Sequence, residues 1–228
     1  MSRPPKANSK PYKMEIDLKV LDHLGIRLYS NAAAVLSEAV ANAWDADAQK
    51  VAVSLANDEI VIEDDGIGMD LSAVNDRFLK VGYDKRGTEG KTSRRGRRFM
   101  GRKGIGKLSL FSIAEEVAVH TTKGKEKHAF QMTISAIEAA IQERTEYYPQ
   151  PISFAGPKRG TRIVLTGLKK ARVGQAATAL RKRIARRFSV IGYDGGSAGD
   201  KFSVSINDEP IGLGDRDDLK QIEFLLEF

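Results

Sequence analysis

Three short stretches gather the residue types that do chemistry together. The first is Glu38-Ala-Val-Ala-Asn42-Ala-Trp-Asp45-Ala-Asp47-Ala48. On a helix turning about 100° per residue, Asn42 lies about 40° from Glu38 and Asp45 about 20° on its other side, so the three share one face. A carboxylate and a carboxamide at i, i+4 suit a magnesium ion that keeps several waters, with Glu38 left to polarise one of them. The same residues also make the solvent-facing stripe of an amphipathic helix. The second is Ile62-Glu-Asp64-Asp65-Gly66-Ile-Gly68-Met69. Here a strand ends in acid and two glycines follow. A carboxylate buried there would accept a hydrogen bond from an exocyclic amine, and glycine lets a ligand come close. A plain Asp-Gly turn uses the same residues. The third is Gly101-Arg-Lys-Gly104-Ile-Gly106-Lys107-Leu-Ser109-Leu-Phe111, glycines running into a helix start. Unpaired N–H groups and the positive end of a helix dipole would hold phosphate there. The spacing is not that of a Walker A loop, and no strand runs into the glycines as a dinucleotide-binding fold requires.

These stretches must be positioned by regular elements, and the periodicity supplies them. A helix is expected from Tyr29 to about Asp47, with Leu36, Ala39, Val40 and Ala43 as its apolar stripe. Lys50–Leu55 and Glu59–Glu63 alternate as strands around an Asn57-Asp58 turn, and Asp70 can cap a helix over about 71–80. Lys107–Ala114 is expected to open another helix. Val117–Thr122, His128–Ser135, Thr161–Thr166 and Lys201–Asn207 read as strands, with short helices at about 135–143 and 174–190. This order fits an α+β two-layer sandwich, a mixed sheet with helices on one face, better than regular βαβ alternation. Residues 1–13, rich in Lys, Pro and Ser, are expected to form a flexible arm, leaving 14–228 as the folded unit. Residues 167–228 read as a C-terminal extension or the start of a following domain. The last residues stop inside an apolar pattern, as expected of a piece of a longer protein.

Composition narrows the classes. The 228 residues contain no Cys and three His, which removes disulfide scaffolds, thiolate metal sites and cysteine nucleophiles. No apolar run approaches the roughly 20 residues a membrane helix needs, and the polar N-terminus lacks the apolar middle of a secretory signal, so a cytoplasmic, non-membrane protein is expected. The net charge of +7 is uneven. Ten basic residues fall between Lys85 and Lys107 against one acid, Glu89, and Arg181-Lys-Arg183 with Arg186-Arg187 forms a second cluster. Such clusters favour polyanions, although a solvated basic face explains the second equally well.

The three motifs in this order resemble the GHKL superfamily (gyrase B, Hsp90, histidine kinase, MutL), over about residues 30–166. Glu38-x-x-x-Asn42-Ala-x-Asp45-Ala46 resembles its N-box, Asp65-Gly-Ile-Gly68 its adenine-binding box, and Gly101–Gly106 its phosphate-binding lid glycines. Gly160-Thr161-Arg-Ile-Val-Leu165 is similar to the later Gly-Thr strand, and Val81-Gly-Tyr-Asp-Lys-Arg86 to the segment opening the lid, with Asp84 where Ser is commoner. The Asn-Ala-x-Asp-Ala ending and the run Gly104–Val117 resemble the Hsp90-like or MORC-like branch more than the kinases.

The resemblance implies a Bergerat-type sandwich that binds Mg·ATP and hydrolyses it slowly. Glu38 would deprotonate the attacking water and Asn42 would hold the magnesium ion. Asp65 would fix adenine through its amine, supported by Thr161, with Gly68 and Met69 beside the base and Asp45 in a supporting role. The N–H groups of Gly101, Gly104, Ile105, Gly106 and Lys107 would cradle the phosphates, with Lys85, Lys103 and Lys107 as charge partners. Residues of about 82–106 would be an ATP lid. By analogy with relatives, an ATP-driven homodimer and DNA contacts through the lid and helix 174–190 are expected. A histidine-kinase-like domain, or a nucleotide-sensing or nucleic-acid-binding module without turnover, is the alternative.

Overall fold

The computed structural model describes residues 12–14, 31–80, 90, 92–100, 108–169, 176–188, 191 and 201–216. Its first long helix, α1 (Ala32–Asp45), begins where Asn31 accepts a hydrogen bond from the N–H of Ala33 at 2.9 Å. It ends where Asp47 turns the chain with a positive φ of 59°. Strands β1 (Lys50–Leu55) and β2 (Glu59–Asp64) follow as a hairpin. Helix α2 (Leu71–Ala73) is capped by Asp70 and continues as a π-helical turn over Val74–Phe78, closed by Leu79 N–H donating to the Val74 carbonyl at 2.7 Å. The Lys123 ammonium, 2.5 Å from Asp70, and the Ala73 N–H hold that carboxyl below the usual range.

The remaining elements are β3 (Glu116–Lys123), β4 (Glu126–Thr133), α3 (Ile134–Gln142), β5 (Gln150–Pro151), β6 (Gly160–Thr166), α4 (Ala176–Arg187), β7 (Ser203–Ile206) and β8 (Glu209–Pro210). The eight strands form one sheet in the order β5-β4-β3-β6-β2-β1-β7-β8. Among the described strands only β1 and β7 pair parallel. The protein is therefore α+β with a mixed, mostly antiparallel sheet. In β1, Val51 and Val53 are buried while Ala52 and Ser54 are exposed, so one face is covered and the other open. Successive apolar rows cross the covered face: Leu55, Ile60, Leu165, Val117 and Met132, then Ile206, Val53, Ile62, Ile163, Val119 and Phe130. Helix α1 is buried nearly all round because it touches β2, α4 and the turn at Leu108–Ser112.

The start of the folded part lies earlier than expected. Tyr12, expected in a free arm, is buried with its ring 4.9 Å from that of Phe130. Beside it Met14, 1% exposed, donates its N–H to the Tyr147 carbonyl at 2.9 Å. An aromatic and a thioether side chain give this stretch enough apolar area to join the core. At the other end, β7 extends the sheet by pairing with β1, and α4 covers α1, so residues 176–216 add to the same core. Among the described residues no helix is long and apolar enough to cross a membrane.

Candidate functional site

The apolar rows end in a polar one. Register sets Asp64 of β2 opposite Thr161 of β6, and Thr161 opposite Thr121 of β3. Asp64 follows Ile60 and Ile62 at a spacing of two, so its side chain points to the covered face, under the helices. The Gly66 N–H donates to Asp64 Oδ1 at 2.8 Å, and the Thr161 N–H also reaches that carboxyl. These two bonds only partly offset the loss of water. Burial therefore pushes the Asp64 carboxyl up to about 7, helped by the nearby charges of Asp65 and Glu63. Thr121 Oγ1 lies 3.2 Å from Thr161 Oγ1 and accepts from the N–H of Met69 at 2.9 Å. An acid of near-neutral pKa is thus lined up with two hydroxyls at the end of a packed sheet.

Asp65, the expected base-gripping acid, is one residue out of phase. Its Oδ1 accepts from the N–H groups of Gln49 and Lys50 at 2.7 and 2.8 Å, which fixes the entry into β1. The alternation Ile60, Ile62, Asp64 is the signal that identifies the inward acid. Gly68 has a structural reason of its own to be glycine. Its φ is +64°, and a Cβ there would stand 2.0 Å from the Thr122 carbonyl oxygen, so glycine is required by the protein's own backbone. The preceding turn is tied to the end of α1 by the Ile67 N–H donating to the Ala46 carbonyl at 2.9 Å. Arg159 Nε donates to the Gly66 carbonyl at 3.1 Å.

On α1 the expected trio divides. Asn42 is exposed, and among the described residues its carboxamide has no protein partner. Glu38 Oε1 accepts from Arg187 Nη1 at 2.8 Å. Asp45, 5% exposed, accepts the Met100 N–H at 2.8 Å and so ties down backbone leading toward the glycines. Trp44 reinforces this tie, its indole N–H donating to the Arg98 carbonyl at 3.1 Å. Arg97 is buried with its guanidinium 4.3 Å over the Trp44 ring, donating to the Ala48 carbonyl at 2.5 Å and the Lys201 carbonyl at 3.3 Å.

Arg97 is therefore lost to any polyanion, and the second basic cluster shrinks as well. Arg181 forks onto Asp215 at 2.8 and 3.0 Å and onto the Pro210 carbonyl at 2.7 Å. Asp215 holds the Arg181 guanidinium above its usual range. Lys182, Arg183 and Arg186 stay exposed on α4. Lys85, Gly101, Lys103, Gly104, Ile105, Gly106 and Lys107 lie outside the described residues. The helix expected at Lys107–Ala114 is a 3-10 turn over Leu108–Ser112, with Ser112 Oγ donating back to the Ser109 carbonyl at 2.6 Å. Leu110, Phe111 and Ile113 are buried, so this short turn is anchored in the core.

A mixed sheet whose end row presents an inward acid and two threonines, beside a helix with a Glu/Asn face, is the architecture of a GHKL-type domain. Residues 29–160, more than half of the chain, match the family described as histidine kinase-, DNA gyrase B-, and HSP90-like ATPase, and the chain belongs to that family. Among curated proteins it is similar to one from Herpetosiphon aurantiacus named "Putative type II restriction enzyme HgiDII". The two are 40% identical over 217 residues, 94% of this chain and 34% of that protein. The chain thus spans about a third of the relative's length.

Proposed function

We propose that the domain binds Mg·ATP and hydrolyses it slowly, as a conformational or dimerisation switch within a larger DNA-associated protein. The observation that carries the reading is the Asp64–Thr161–Thr121 row: an inward carboxyl with a pKa of about 7 at the end of the sheet. Its carboxylate accepts the exocyclic amine of adenine, while Thr161 and Thr121 hold the surrounding hydrogen bonds. Asp64 takes this role because Asp65 is already bonded to β1.

Glu38 is the base that orients and deprotonates water, through the oxygen that Arg187 does not hold. The protein's share of magnesium binding falls to the carboxamide of Asn42, exposed one turn along α1 from Glu38. Few protein ligands suit this ion, which keeps waters and leans on phosphate oxygens. When bound it supplies positive charge against the phosphoryl group being transferred. The basic residues of the stretch 85–107, outside Arg97, supply positive charge for DNA, and Lys182, Arg183 and Arg186 add exposed cationic surface. The resemblance to a protein named as a restriction enzyme supports that setting.

Calorimetry with ATP, ADP and a non-hydrolysable analogue in magnesium, run beside phosphate release, tests the reading. Saturable ATP binding that Asp64→Asn weakens, with turnover that Glu38→Ala removes, is the expected result. Radiolabel passing from γ-phosphate to a protein His would point to a kinase, and no ATP binding at all would overturn the proposal. A gel shift with duplex DNA, weakening as salt rises, tests the DNA setting; salt-independent or absent binding counts against it.

A further inference from the structure

Glu38 is held by a helix that lies outside the matched stretch 29–160. Helix α4 buries Leu180, Ile184 and then Phe188 at a spacing of four. Phe188 is wedged with ring centroids 5.8 Å from Trp44 and 5.1 Å from Phe202. Such packing fixes the last turn of α4 against α1 and leaves Arg187 little freedom beyond its own side chain. From there Arg187 Nη1 donates to Glu38 Oε1 at 2.8 Å, to Ser37 Oγ at 3.1 Å and toward the Ser37 carbonyl at 3.4 Å. Both charged side chains are about a quarter to a third exposed, so the pair borders solvent without being swamped by it. Among the described residues the other Glu38 oxygen has no protein partner.

From this geometry we infer that Arg187 is a positioning residue for Glu38, acting in the hydrolysis proposed above and resting on that reading. A glutamate on a helix surface samples several rotamers, and freezing it costs conformational entropy at the moment of reaction. A charge-assisted bond to one oxygen settles that cost in advance and aims the other toward water. Ser37 completes the clamp by holding the same nitrogen. The hydrolytic geometry therefore depends on residues 176–188 as well as on the family's own motifs.

The test uses the intact protein and steady-state phosphate release, with ATP affinity measured separately by calorimetry. Arg187→Ala is expected to lower kcat about tenfold or more while KM and ATP affinity stay within about twofold, since the residue acts on the base and not on the nucleotide. Arg187→Lys, which keeps a charged donor, is expected to recover part of the loss. Glu38→Ala combined with Arg187→Ala is expected to be no slower than Glu38→Ala alone, because the arginine works through the carboxylate. Unchanged kcat in Arg187→Ala, or a further drop in the double variant, overturns the inference while leaving Glu38 as the base. So does loss of ATP affinity and thermal stability in Arg187→Ala and Arg187→Lys alike, which would make the contact structural. Full turnover in Glu38→Ala would instead remove the reading beneath it.

Discussion

The end of the sheet and the polar face of α1 hold carboxylates in opposite ways. At the sheet, Asp64 is placed by strand register, with partners no further than the neighbouring strands. On α1, Glu38 and Asp45 are placed by contacts from far along the chain, Arg187 and Met100. The first arrangement is set when the strands pair. The second needs α4 and residues 97–100 to be docked, so it is open to adjustment by whatever moves those segments. Under the function proposed above, a binding acid on a register-fixed row and a reactive acid on a conditional one would divide holding nucleotide from acting on it.

Breaking the conditional side should give the largest effect. Glu38→Ala is expected to lower phosphate release by about 100-fold or more, with ATP still bound in calorimetry. On the rigid side, Asp64→Asn is expected to weaken ATP binding by about 100-fold, the scale of one charge-assisted hydrogen bond lost.

Acid–base linkage sharpens the same contrast. The free Asp64 carboxyl sits at about 7 and an amine donor favours its ionised form, so ATP binding should release a proton. Affinity should then rise with pH, by at most about tenfold per unit below pH 7, and level off above it. Asp64→Asn should flatten that profile. Stability runs the other way: the folded pKa is above the unfolded one, so this group's penalty is absent below about pH 4, grows as pH rises and is complete above about 7. Melting curves of the nucleotide-free protein at several pH values, with Asp64→Asn as reference, read that slope.

The smallest effects separate scaffold from site. Asp65→Asn is expected to leave ATP affinity within about twofold while costing about 1–3 kcal/mol of stability, because it weakens the bonds that start β1. Arg97→Ala should cost a similar amount, about 1–3 kcal/mol by denaturant titration, by leaving the Ala48 and Lys201 carbonyls unpaired.

What could be read from the chain followed the range of the interactions. The β1–β2 hairpin, β3, β4 and β6 follow from alternation, since each strand carries its own pattern. The inward acid was also legible: counting by two from Ile60 reaches Asp64, whereas the glycine motif alone draws attention to Asp65. Strands β5 and β8, two residues each, have no pattern to read, because pairing with a neighbour creates them. The apolar spacing over 107–114 suits a buried turn as well as a helix, and the chain forms the turn over Leu108–Ser112. Arg97 and Arg187 looked like free positive charge, because the aromatic bed of one and the carboxylate partner of the other are brought to them only by tertiary packing. Local sequence reports which groups are charged, and distant sequence decides which of those charges are already spoken for.

Both outermost strands of the sheet contain proline, Pro151 at one margin and Pro210 at the other. A residue with no N–H cannot donate to an incoming ladder, and a two-residue stub offers a newcomer almost no length to grip. Among the described residues, the two outermost strands are therefore poor templates for a further strand at either margin.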